Sequence, residues 1–171
     1  MHNFKKYTLI VFLSIIVSVL QQSIFANVTF FGISADMVLV FVICYSLVRE
    51  DVESIIFALT CGLIKDALFP NIFGLNTIVY IVTAYILCRI EKKIYKDAIL
   101  IPMLLTFMIT VVKGLLYYAY LYTASIKFDF INHFMYVVPI EAILNSIVSI
   151  VVFRIVNKIN KLKFMEQEWK F

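Results

Sequence analysis

Gly62-Leu63-Ile64-Lys65-Asp66-Ala67-Leu68-Phe69-Pro70-Asn71-Ile72-Phe73-Gly74-Leu75-Asn76-Thr77-Ile78-Val79-Tyr80 decides how this chain is read. The stretch lies between two strongly apolar runs, yet it carries Lys65 and Asp66 side by side, then Pro70, Gly74 and two Asn. Charges near a bilayer centre are expensive, so a helix that keeps them is expected to turn them toward protein. Pro70 and Gly74 then break the helix, and Asn71 and Asn76 can serve as local caps and turns for the freed backbone groups. The reading is a broken or re-entrant hairpin between spans three and four, folded into the bundle rather than out into lipid.

The rest of the chain supplies the membrane context. Hydrophobic residues make up 63% of it and charged ones 15%, with a mean hydropathy of +0.98. That lies outside the range of soluble domains. A chain of 171 residues has room for about six spans of ~20 residues and little else. The expected fold is therefore an all-α polytopic membrane protein, six transmembrane helices in one bundle. The spans are placed at about 7–25, 36–48, 54–69, 75–90, 98–122 and 133–156, with a basic amphipathic tail at 157–171.

The net charge of +4 is a topology signal rather than a nucleic-acid one. Lys5, Lys6 and Arg49, then Arg89, Lys92, Lys93 and Lys96, then Arg154, Lys158, Lys161, Lys163 and Lys170 fall at the termini and in alternate loops. The positive-inside rule then puts both termini in the cytoplasm with an even number of spans. The basic tail suits anionic headgroups of the inner leaflet. Cys44, Cys61 and Cys88 sit in apolar runs without a Cys-x-x-Cys pair, and read as small apolar helix residues. His2 and His133 lack metal-ligand spacing, and the nucleophile-elbow, zinc and phosphate-loop motifs do not occur. Catalysis, a cofactor and a metal are not expected.

Polar residues mark the helix faces. Ser14, Ser18 and Gln21 or Gln22 recur at helical spacing in the first span, as do Ser54, Ala58 and Cys61-Gly62 in the third. Such small and polar stripes usually face other helices. Asp36 is placed to cap the second helix, and Arg49-Glu50-Asp51-Val52-Glu53 reads as a tight charged cytoplasmic turn. Thr106, Thr110, Lys113, Tyr117 and Tyr120 share one face of the fifth span; Glu141, Asn145 and Ser149 share one of the sixth. Counting rise per residue puts Asp66, Lys113 and Glu141 within a layer ~5 Å thick. An Asp66–Lys113 ion pair is expected, because Lys65 points about 100° away from its neighbour. Asp36, Lys65, Asp66, Lys113 and Glu141 are read first as an internal staple, next as a surface for another membrane helix, and last as a proton or solute path.

The order Gly62-Leu63-x-x-Asp66, then Phe73-Gly74-Leu75-Asn76, then an apolar helix with Tyr80, resembles the rod shape-determining protein MreD family of bacteria. Asp36-Met37-Val38-Leu39, the final-helix Pro139-x-Glu141-x-x-x-Asn145 and the overall size extend the resemblance over nearly the whole chain; Ala35 stands where the family often has Pro. The resemblance implies a scaffold of the cell-wall elongation machinery (the elongasome) in the cytoplasmic membrane. Its partners would be a single-span MreC-like protein, the MreB filament and the RodA–transpeptidase peptidoglycan synthase. The alternative is a substrate-binding subunit of an energy-coupling-factor vitamin transporter. That reading needs an outward-facing cavity, for which Tyr117, Tyr118, Tyr120 and Tyr122 are the crowded candidates.

Overall fold

A computed structural model describes residues 2–25, 28–49, 51–68, 74–91, 100–123 and 130–160, the side chains of 2–6, 24, 25, 91 and 130–133 excepted. The order is α1 (His2–Leu20), a π-helical turn (Gln21–Phe25), β1 (Thr29–Phe30), β2 (Ile33–Ser34), α2 (Met37–Val48), α3 (Asp51–Leu68), α4 (Leu75–Glu91), α5 (Leu100–Thr123) and α6 (Phe130–Asn160). Among the described residues the protein is thus helical, with one two-residue-per-strand antiparallel hairpin. Leu100–Thr123 and Phe134–Asn160 are long and apolar enough to cross a membrane, while Tyr7–Ser23, Met37–Val48 and Leu75–Ile90 are apolar but shorter. Pro70, Asn71 and the expected re-entrant turn lie outside the described residues, as does the tail from 161.

The centre is α2. Every residue of it but Phe41 is buried, as expected of a helix that is apolar all round. The α3–α4 pair and the α5–α6 pair each pack closely on themselves and also on α2, whereas α4 and α5 touch each other only lightly. Helix α1 lies chiefly on α3. Its polar stripe faces inward as the spacing predicts, with Ser14, Ser18 and Gln21 all buried, and so are Ser54, Ala58 and Cys61 on α3. Burying small residues at these interfaces lets the backbones approach, which is how helices gain contact in lipid.

Two glycines fix how α3 meets α4. A Cβ on Gly62 would lie 2.5 Å from the Thr77 Cα, so the first turn of α4 can rest on α3 only because that side chain is missing. Gly74 takes φ +94° and its carbonyl accepts from the Ile78 N–H at 3.0 Å. Only glycine adopts that backbone freely.

The α2–α3 connection departs from the solvated charged turn expected there. Arg49 and Glu53 are 1% and 3% exposed and pair at 3.7 Å, and Tyr45 stacks on Phe57 at 4.5 Å beside them. So few residues join α2 to α3 that the first turn of α3 folds back over the last turn of α2. Arg49 and Glu53 are therefore enclosed. On α5 the expected polar face divides: Thr106 and Thr110 are buried, but Tyr117 and Tyr120 are exposed. Tyr118 and Leu121 turn inward instead and form a small core with Val138.

Candidate polar site

The site is built around the start of α2. Asp36 caps the helix, its Oδ1 accepting from the Leu39 N–H at 3.2 Å. The same carboxylate is the meeting point of three other helices. Lys65 of α3 reaches Oδ2 at 2.6 Å, and Lys113 of α5 makes a short ion pair with the same oxygen. Tyr80 of α4 donates its hydroxyl to the carboxylate at 3.3–3.4 Å and accepts from Lys65 Nζ at 2.9 Å. Lys65 also lies 5.6 Å from the Tyr80 ring centroid.

The backbone around Asp36 is held just as closely. Its N–H donates to Asn145 Oδ1 of α6 at 2.7 Å, and Asn145 Nδ2 donates to Thr110 Oγ1 of α5 at 3.1 Å. From the π turn that continues α1, Gln21 donates to the Ala35 carbonyl at 3.1 Å and accepts from the Met37 N–H at 2.8 Å. All six helices therefore converge on Ala35-Asp36-Met37. Glu141 of α6 stands 3.7 Å from Lys113 and completes two acids against two bases. The arrangement lets buried charges neutralise one another, the condition for keeping them out of water.

Asp66 has a different task. Its Oδ1 accepts from Asn76 N at 3.2 Å and Asn76 Nδ2 at 2.9 Å; its Oδ2 accepts from Thr77 N at 2.9 Å and Thr77 Oγ1 at 2.5 Å. A fully buried carboxylate thus covers the open N–H groups of the first turn of α4, where the helix dipole also favours an anion. The expected Asp66–Lys113 pair is overturned: Lys113 belongs to Asp36 and Glu141, and neutral donors fill Asp66. The reason is position. Helix α3 runs Asp51–Leu68, so Lys65 and Asp66 occupy its last turn, and Gly62 brings α4 against that turn. Asn76, expected as a local cap or turn residue, here supplies two donors, and Asp66 accepts them.

Among the candidates named from the sequence, Asp36, Lys65, Lys113, Glu141 and Asn145 come together, and Gly62, Asp66, Gly74 and Asn76 form the adjoining α3–α4 contact. Sequence reasoning did not name Tyr80, Thr77, Thr110 or Gln21 as site residues. Tyr80 follows Asn76 and Thr77 by four and three residues, so helical spacing could have placed it near their face. Gln21 continues the Ser14–Ser18 stripe. The cysteines are free and buried. Cys44 contacts the Ser149 carbonyl at 3.7 Å, in keeping with a packing role.

A helical membrane protein closed around an internal ion-pair network is the class that fold and site define. The family model for rod shape-determining protein MreD matches residues 2–163, and the chain belongs to that family. No curated protein and no solved structure matches it.

Proposed function

We propose that this protein acts as a scaffold of the bacterial elongation machinery. In this reading it joins an MreC-like single-span protein and, directly or through it, the MreB filament to the RodA–transpeptidase synthase. Peptidoglycan is then inserted along the side wall and the cell keeps its rod shape. The protein would cross the cytoplasmic membrane six times with both termini inside, and would work without a cofactor or catalysis of its own.

The observation that carries the reading is the combination of family membership with a network that spends its charges internally. Asp36, Lys65, Lys113 and Glu141 neutralise one another. Apolar side chains such as Leu104, Met108 and Val112 of α5 and Phe12 and Val19 of α1 remain exposed for lipid and neighbouring helices. Family membership replaces the transporter alternative. Depletion in the native cell tests the proposal: rod cells should round up, and site-specific crosslinks from the exposed face of α5 should capture the MreC-like protein. Unchanged cell shape after full depletion would overturn it. So would the absence of that crosslink with folded protein present.

A further inference from the structure

No charged residue occurs between Lys6 and Asp36. Within that stretch β1 and β2 pair with Thr29 opposite Ser34 and Phe30 opposite Ile33. The two turn residues, Phe31 and Gly32, have φ of 52° and 76°. A two-residue loop of this kind is usually Asn-Gly or Asp-Gly, because both positions need positive φ. A bulky aromatic in the first is a backbone outlier, so the ring is there for what it contacts and not for the turn.

That ring is 78% exposed and its neighbour Phe30 is 59% exposed. The two pack edge to face at 4.7 Å and make one apolar tip. The base of the hairpin is fixed. Gln21 holds Ala35 and Met37, Asn145 holds Asp36, and β2 packs on α6. The tip is therefore presented on a firm support, with Phe31 five residues from Asp36, where the helices converge.

We propose that the Phe30–Phe31 tip is seated in the boundary between headgroups and acyl chains, and sets the depth of the Asp36 network in the bilayer. Lipid is the occupant because the exposed apolar residues of α1, among them Ile15, Ile16, Val19 and Leu20, lead to the tip along the same uncharged stretch. A two-stranded hairpin leaves edge N–H and C=O groups unpaired, which excludes the hydrocarbon centre. Phe is among the residues that interfacial segments bury there, to roughly 5–10 Å.

The test uses the full chain with its single Trp removed (Trp169→Phe) and Phe31→Trp introduced, in phosphatidylcholine–phosphatidylglycerol vesicles. Lipids brominated at shallow chain positions should remove most of the tryptophan fluorescence, deeper bromines should remove less, and aqueous iodide little. Phe30→Trp in the same background should give the same order, and it stands in if the Phe31→Trp chain does not fold. Strong iodide quenching with no bromine quenching would overturn the proposal and make the tip a water-facing surface for a partner's soluble domain. Stronger quenching by deep than by shallow bromines would also overturn it.

Discussion

Asp36 and Asp66 are both buried carboxylates that cover helix starts, and they are neutralised in opposite ways. Asp36 opens α2 and faces two ammonium groups, Lys65 and Lys113, with Tyr80 beside them. Asp66 sits against the start of α4 and faces only neutral donors from Asn76 and Thr77. The first is a junction between helices far apart in the chain; the second is a local clasp between two consecutive helices. Removing an acid strands charged partners in one case and polar but uncharged ones in the other. The two sites should therefore respond differently to the same substitution.

The largest effect is expected from Asp36→Ala, which leaves two ammoniums without their shared acceptor. Breaking a buried ion pair from one side costs about 3–5 kcal/mol, so the amount of folded protein in the membrane should fall steeply. Near-normal accumulation would mean that the junction carries little of the stability. Gly62→Val comes next: its side chain would collide with the Thr77 backbone. Overpacking of this kind typically costs about 1–3 kcal/mol. A cysteine pair placed across α3 and α4 should then crosslink more slowly than in the unaltered protein.

Asp66→Ala, which removes an acceptor from several neutral donors, should cost about 1–3 kcal/mol. Asp66→Asn should cost somewhat less, because one oxygen remains to accept while the new amide N–H groups face the donors that the other oxygen served; equal losses for the two variants would show that both carboxylate oxygens are needed. The smallest effect is expected from Glu141→Gln. Its pair with Lys113 is long at 3.7 Å and its side chain is 24% exposed, while Lys113 keeps its close pair with Asp36, so the loss should fall below that of the other variants. Unfolding in detergent measures all three.

The same contrast explains what could be read from the sequence. Composition and the apolar runs gave a helical membrane protein, and the family resemblance followed from Gly62, Asp66, Gly74, Asn76 and the flanking motifs. The cap at Asp36 and the inward stripe of Ser14 and Ser18 were legible because they depend on local spacing. The partner of Lys113 was not. Counting rise brings Asp66 and Lys113 to a common level, but depth does not give azimuth, and nothing in the spacing singles out Asp36 among the three acids as the centre. The enclosure of Arg49 and Glu53 was missed for a related reason. A charged turn looks solvated until packing of the α2–α3 junction over it is known.

The central claim is that Asp36, and not Asp66, is the acid coupled to Lys113. Two double-mutant cycles in one detergent, read as unfolding free energies, test it most directly: Asp36→Asn with Lys113→Met, and Asp66→Asn with Lys113→Met. Residues in one ion-pair network show coupling of about 0.5–3 kcal/mol, while independent sites add. The first cycle should show coupling in that range, with the double variant recovering part of the loss, and the second should be additive. Coupling in the Asp66 cycle with additivity in the Asp36 cycle would contradict the account.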